Sequence, residues 1–197
     1  MKFLKITGLI FILIWVQSCA SRPQKQETEA LATTKSFEEI AWADFFNNLK
    51  PLCGLSFPGR QIFMAEGRES WEDKSMVMYV DLCEDDAILI PFHLDEDKSR
   101  TWMFLNEEGK LRFRHDHRHE DGTPEDITMY GGYSDPERAT AFYQVFPADD
   151  YTIDLIPRAV DSEWVVELSE DMAVFSYQLH HEGELIFQAD FDLRSPL

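Results

Sequence analysis

The sequence predicts a mainly β fold, an antiparallel meander of strands preceded by one short helix. Beyond about residue 60, the chain is a succession of short segments rich in β-branched and aromatic residues. Turn-forming stretches such as Glu107-Glu108-Gly109 and Glu182-Gly183 separate these segments. No helical spacing of apolar residues interrupts the series. Because strands joined by short turns pair antiparallel, we expect one antiparallel sheet.

The predicted helix is amphipathic and lies just before the strands. Ser36 is a candidate N-cap, and Glu38 and Glu39 stand in the first turn, where acidic side chains favour a helix. Apolar residues then recur at helical spacing as far as Leu49, and Pro51 ends the pattern. We expect the apolar face to pack on the sheet.

About nine strands follow, each bounded by turn-forming residues. They are Gln61–Met64, Met76–Cys83, Ala87–Leu94, Thr101–Leu105, Lys110–His119, Thr140–Phe146, Glu163–Leu168, Ala173–His180 and Glu184–Phe191. Two hairpins are clear, one turning at Gly109 and one at Gly183. Closing the meander as a calycin-like barrel removes exposed strand edges. A sandwich, or a mixed α+β fold with fewer strands, is the alternative.

The N-terminus has the pattern of a secretory signal peptide. Lys2 and Lys5 precede the apolar run Ile6–Val16. That run is too short to cross a hydrocarbon core of about 30 Å as a helix. A signal peptide over residues 1–18 fits the run and its flanks better.

The end of the apolar run, Val16-Gln17-Ser18-Cys19, resembles the lipobox of bacterial lipoproteins. The resemblance implies that Cys19 receives diacylglycerol, becomes the new N-terminus and is then acylated, for example with palmitate. Several acyl chains on one residue anchor a protein firmly. Ala20 and Ser21 follow, with no Asp at the retention position, and by the same resemblance this favours the outer membrane of the cell envelope.

The rest of the chain divides into a tether and one domain. Residues 19–35 are polar and lack periodicity, which is typical of a flexible tether. Residues 36–197 suit a single domain. The chain has 37 acidic and 18 basic residues, and loss of Lys2 and Lys5 makes it more negative still. Such a body repels phosphate backbones, so we expect no nucleic-acid partner and membrane attachment through the lipid alone.

Two cysteines remain for the domain, Cys53 and Cys83. In an oxidising compartment an isolated pair most simply forms a disulfide. Closing a loop of about 30 residues stabilises a fold by roughly 3–4 kcal/mol on the chain-entropy model. Two unpaired buried thiols are the alternative.

One strand carries a histidine cluster. Alternation along residues 111–119 puts Leu111, Phe113, His115, His117 and His119 on one face. Imidazoles at i and i+2 on a strand can converge on Zn²⁺, whose N–Zn bonds are about 2.0–2.1 Å long. A further ligand would come from the carboxylates at 120–126 or from His93.

The alternative for this cluster is a hydrogen-bonded network with a structural role only. An H-x-H pair with no further ligand evident is a weak metal signal, so no cofactor is predicted and zinc remains the secondary hypothesis.

A longer stretch of sequence resembles a known family. His115–Gly122, read HDHRHEDG, is followed by Thr128-Met129-Tyr130-Gly131-Gly132, and both come after Cys53-Gly54, Phe57 and Gly59-Arg60. This pattern resembles a family of uncharacterised bacterial secreted proteins and lipoproteins, over most of the domain from about Leu52 to Leu193. The resemblance implies a shared fold and brings no activity with it.

Three functional hypotheses follow. The first is a lipid-anchored, non-catalytic binder of a small apolar or amphiphilic ligand or of an envelope partner. The second is a metal-dependent envelope enzyme using His115, His117 and His119, and the third is a purely structural envelope protein. An open interior cavity would favour the first, and several aromatic residues are candidates for its lining. They are Trp102, Phe104, Phe142, Tyr143, Phe175 and Tyr177.

Overall fold

The structure, a computed structural model, describes residues 37–197. The predicted signal peptide, Cys19, the tether and the N-cap Ser36 lie outside these residues. No helix within the described range is long and apolar enough to cross a membrane.

Eleven strands and two α-helices make up the described residues. Helix α1 is Phe37–Leu49, followed by a 3-10 turn at Lys50–Leu52, and helix α2 is Asp150–Leu155, followed by a 3-10 turn at Pro157–Ala159. The strands are β1 Ser56–Met64, β2 Met76–Tyr79, β3 Leu82–Cys83, β4 Ala87–Leu94, β5 Asp97–Glu107, β6 Lys110–His117, β7 Tyr130–Tyr133, β8 Tyr143–Pro147, β9 Ser162–Leu168, β10 Val174–His181 and β11 Glu184–Asp192.

The strands form one antiparallel sheet that curls into a nearly closed barrel. Their order is β7-β6-β5-β4-β2-β1-β11-β10-β9-β8, with β3 paired to β4. The two outer strands meet, because the Asp149 N–H donates to the Gly131 carbonyl at 3.1 Å and the Asp135 N–H donates to the Val145 carbonyl at 2.8 Å. The predicted mainly β, barrel-shaped fold with one short helix before it is confirmed.

Glycine makes this approach of β7 to its neighbours possible. A Cβ on Gly131, whose φ is +150°, would lie 2.0 Å from the Phe113 carbonyl oxygen in β6. A Cβ on Gly132 would lie 1.8 Å from the Pro147 carbonyl oxygen in β8. A side chain at Gly131 would push β7 away from β6, and one at Gly132 would push β7 away from β8 at the seam, the place where the two outer strands meet.

Helix α1 covers one part of the barrel core. Phe45 and Leu49 are fully buried, and the Phe45 ring lies 5.7 Å from the Phe104 ring of β5. The Asn48 side-chain amide donates to the Ala141 carbonyl at 2.8 Å, which ties the helix to the segment before β8. Among the residues whose burial the structure describes, the buried core residues lie between Phe45 and Leu193.

The predicted disulfide is present. Cys53 and Cys83 are bonded, with their Cα atoms 6.1 Å apart. The bond joins Cys53, which directly follows the 3-10 turn, to strand β3, and so fastens the end of the helical segment to the sheet.

Three details of the predicted fold were wrong. A helix, α2, does intervene between β8 and β9; Asp149 caps it by accepting a hydrogen bond from the Thr152 N–H at 3.0 Å. Strand β7 was missed, because Gly131 and Gly132 interrupt the pattern of β-branched residues that marks a strand. The expected strand Met76–Cys83 is two strands, β2 and β3.

Candidate functional site

A cleft of about 810 Å³ enters the barrel away from α1. Its position follows from the pleat of β5, whose alternate residues face inward. Phe104 packs on α1, whereas Trp102 and Arg100, which precede it on the same face, line the cleft. Strand β6 repeats this arrangement, since Phe113 is core and His115 and His117 line the cleft.

A stack of three aromatic rings forms one wall of the cleft. The Trp102 indole lies between Phe92, at 5.0 Å and 8°, and Tyr177, at 4.6 Å and 15°. Trp71 closes a second side, with its ring 5.0 Å from that of Phe187. Because the Trp102 ring is packed against rings on both sides, this wall is rigid before any ligand binds.

Tryptophan is concentrated at this cleft. The described residues contain four tryptophans, of which Trp71, Trp102 and Trp164 line the cleft. The fourth, Trp42, lies on α1 and packs edge-on against Phe46. Indole fluorescence therefore reports mainly on the cleft.

His115 lies at the base of the cleft with both ring nitrogens engaged. Its Nδ1 donates to the Tyr130 carbonyl at 3.2 Å, because a carbonyl can only accept. Its Nε2 therefore accepts from the Tyr177 hydroxyl at 2.8 Å. Burial lowers the pKa of His115 to about 3 and raises that of Tyr177 well above its usual value. The imidazole is neutral at physiological pH.

His117 contacts the side chain of Tyr130, the residue whose carbonyl accepts from His115. The Tyr130 hydroxyl lies 3.0 Å from His117 Nε2, and Glu125 Oε2 lies 3.8 Å from His117 Nδ1. Desolvation is the main reason that the pKa of His117 is lowered. Burial raises the pKa of Tyr130 to about 12. The two imidazoles thus hold the rings of Tyr130 and Tyr177 in place.

The three histidines singled out as possible zinc ligands are not brought together. His119 lies beyond the end of β6, is exposed, and its N–H donates to the Thr123 carbonyl at 2.9 Å. His93 lies outside the cleft, with its ring 4.4 Å from that of Tyr79. Nowhere in residues 37–197 do three or more His, Cys, Asp or Glu side chains form a group that could hold a metal ion.

The carboxylates proposed as further ligands are also dispersed. Glu125 is the one that reaches the cleft, beside His117. Glu120, Asp121 and Asp126 are exposed in the loop after β6, where Asp121 accepts from the N–H and the hydroxyl of Thr123.

Two of the six aromatic residues predicted as cavity candidates line the cleft, Trp102 and Tyr177. Phe104 and Phe175 are fully buried core, and Phe142 and Tyr143 lie outside the cleft. The sequence reasoning missed Trp71, Trp164 and Arg68. Trp71 and Arg68 lie in the segment between β1 and β2, which has no periodic pattern. The tryptophan content of the chain was a signal for Trp71 and Trp164, and none was available for Arg68.

The histidine-rich segment and the Thr-x-Tyr-Gly-Gly segment form adjoining parts of the cleft and the seam. The Thr128 hydroxyl accepts from the His117 N–H at 2.7 Å and donates to Asp116 at 3.2 Å. Tyr130 stacks on His115 at 4.5 Å, and Gly131 follows at the seam. No protein-family model and no curated protein matches this chain, so the family resemblance remains a prediction.

Proposed function

We propose that this protein is a lipid-anchored cell-envelope protein whose barrel binds a small ligand of largely apolar surface without transforming it. The observation that carries the proposal is the aromatic cleft of about 810 Å³. Ligand pockets for small molecules are typically about 300–1,000 Å³ and lined mostly by apolar and aromatic side chains. A purely structural barrel has no need of such an opening in its core.

The chemistry of the cleft supports binding rather than catalysis. His115 gives both ring nitrogens to hydrogen bonds inside the protein. A pKa of about 3 makes it a weak general base at neutral pH, and a pKa of about 12 makes Tyr130 a weak acid. These groups satisfy one another's hydrogen bonds within the protein.

A titration with N-phenyl-1-naphthylamine, a neutral and apolar fluorescent probe, tests the proposal. The chain from Ala20 onward suits the assay, because it lacks Cys19 and retains the whole described core. We expect saturable binding of one probe per chain, with quenching of indole fluorescence. Loss of one aromatic wall in Trp71→Ala should raise Kd about tenfold, since such ring contacts are worth roughly 0.5–1.5 kcal/mol.

Trp42→Ala is the matched control, because it removes an indole that lies outside the cleft. It should leave the probe affinity unchanged. Absence of saturable binding in the parent chain, or equal weakening by both substitutions, would overturn the proposal.

The anchoring part of the proposal rests on Cys19 and is tested separately. The parent chain should sediment with membranes and, after density separation, with the outer membrane. Cys19→Ala should release it, because so acidic a body gains nothing from anionic lipid headgroups. A Cys19→Ala chain that still sediments fully with membranes would contradict lipid anchoring at this residue.

A further inference from the structure

We infer that the ligand of the cleft carries an anionic group, bound at the rim by Arg68 and Arg158 while its apolar part packs on the aromatic walls. This inference rests on the proposed function and narrows it to one chemical class, a small ring-bearing carboxylate, sulfonate or phosphate.

The charge around the cleft differs from that of the chain. The whole chain has 37 acidic and 18 basic residues. The cleft is lined by three arginines, Arg68, Arg100 and Arg158, and by two glutamates, Glu66 and Glu125, and Arg100 is paired with Asp97. These charges cancel, so in a strongly acidic protein the cleft repels an anion less than the net charge of the chain would.

The three arginines differ in their partners. Arg100 is paired with Asp97, and its guanidinium lies 5.8 Å from the centre of the Trp71 ring. Arg68 and Arg158 have no carboxylate within 4.0 Å among residues 37–197, and both are exposed at the rim. Their guanidinium groups therefore have hydrogen-bond donors available for a ligand.

Neither glutamate of the cleft is paired with Arg68 or Arg158. Glu125 lies beside His117, with Oε2 3.8 Å from Nδ1. Glu66 lines the cleft two residues before Arg68 and forms no ion pair with it within 4.0 Å. Arg158 comes from a different segment, the turn after α2, so the two free guanidinium groups approach the cleft from separate loops.

A guanidinium is suited to anions of this kind. It presents planar, paired donors that match the oxygens of carboxylate, sulfonate or phosphate groups. Beneath the rim, the cleft is lined by aromatic side chains, among them Trp71, Trp102 and Tyr177, which suit an apolar body. One ligand can therefore satisfy both parts of the cleft only if it is amphiphilic and negatively charged.

Two fluorescent probes that differ by one group test the inference. 8-Anilinonaphthalene-1-sulfonate has the rings of N-phenyl-1-naphthylamine and one added sulfonate. In the chain from Ala20, replacing both arginines, Arg68→Gln with Arg158→Gln, should weaken binding of the sulfonate probe about five- to tenfold at low salt, as expected for two exposed charge contacts. Binding of the neutral probe should not change.

The control removes two positive charges elsewhere. Arg60→Gln with Lys110→Gln changes the net charge equally, and both residues are exposed and lie outside the cleft. This variant should bind both probes as the parent chain does.

The outcomes separate this inference from the proposed function. If the arginine variant binds the sulfonate probe as tightly as the parent, or loses both probes equally, the anionic group is refuted while ligand binding stands. If neither probe binds the parent, the proposed function fails. An equal loss in the control variant would assign the effect to net charge and refute the rim site.

A free acid and a lipid headgroup could both supply the anion. Competition by 2-naphthoate against the sulfonate probe identifies a free molecule. Co-sedimentation of the chain from Ala20 with phosphatidylglycerol vesicles, lost in the arginine variant, would assign the anion to a lipid headgroup and refute the small ring-bearing ligand. Absence of both competition by 2-naphthoate and co-sedimentation with the vesicles would also overturn the inference.

Discussion

Burial of the His115 imidazole makes the barrel sensitive to acid already between about pH 6.5 and pH 5, above the range in which ordinary carboxylates titrate. The ring is 3 % exposed, and burial lowers its pKa from 6.5 to about 3. In the unfolded chain the same ring takes up a proton below about pH 6.5. Acid therefore favours the unfolded chain, and stability is lost as the pH falls from about 6.5 towards 3.

The size of this effect follows from proton linkage. Between pH 8 and pH 5.5, His115 alone should lower the free energy of unfolding by about 1.4 kcal/mol, and the value rises to about 2 kcal/mol at pH 5. These figures depend on the unfolded pKa, because the folded imidazole stays neutral throughout the range. His117, whose pKa is also lowered by desolvation, adds a loss of the same sign. Carboxylates with lowered pKa, such as Asp135, lose their contribution only at more acidic pH.

The perturbation is His115→Gln, which keeps a donor and an acceptor at the site and removes the titration. Urea unfolding of the chain from Ala20, followed by far-UV circular dichroism at pH 8 and pH 5.5, gives the two free energies. The substitution lowers the free energy of unfolding at both pH values. The test is the difference between the free energies at pH 8 and at pH 5.5. This difference should be about 1.4 kcal/mol smaller in His115→Gln than in the parent.

His119→Gln is the matched control, because His119 is exposed beyond the end of β6. It should keep the pH dependence of the parent chain. The same pH dependence in the parent and in His115→Gln would refute the reasoning, since it would mean that the buried ring does not set the acid response.

Three further predictions concern the seam, the disulfide and a buried ion pair. Gly131→Ala should destabilise the barrel by more than about 3 kcal/mol in urea unfolding, because its Cβ would lie 2.0 Å from a backbone oxygen of β6. Replacing Cys53 and Cys83 with Ser should lower the free energy of unfolding by about 3–4 kcal/mol. Asp149→Ala should cost about 3–5 kcal/mol, because it leaves the guanidinium of Arg114, which is 2 % exposed, without its carboxylate.

Each of these predictions has its own comparison. Gly54→Ala places a methyl group at another position with positive φ, +79°, but in open space, and should cost only about 1 kcal/mol. An equal cost at the two glycines would argue against the close approach of β7 to β6. Reduction of the parent chain should reproduce the loss seen in the cysteine variant. Asp150→Asn, at an exposed neighbouring carboxylate, should change the free energy of unfolding little. A loss of stability in Asp149→Ala as small as that in Asp150→Asn would show that the ion pair contributes nothing.

Several features of the fold followed from local pattern. Alternation along β6 correctly placed Leu111, Phe113 and His115 on one inward face, because successive side chains of a strand point to opposite sides. The hairpin turns at Gly109 and Gly183 were also correct, and both glycines adopt positive φ. The disulfide followed from cysteine count and compartment alone.

What the inward histidines do was decided by tertiary structure. The partner of His115 Nε2 is Tyr177, which lies 62 residues further along the chain. No spacing within β6 could distinguish that hydrogen bond from a metal ligand, because the two use the same nitrogen. Likewise, Arg114 lies on the outer face of β6 and is buried only because α2 and Asp149 cover it.

The sequence alone therefore determined a mainly β chain with one preceding helix and a cysteine pair, since these depend on residues near one another or on composition. It also predicted a lipid anchor at Cys19. The aromatic cleft was decided by the barrel, whose closure brings Trp71, Trp102 and Trp164 together from segments far apart in the chain. Local patterns report on neighbours along the chain, whereas a cleft is made by contacts between strands that only folding brings together.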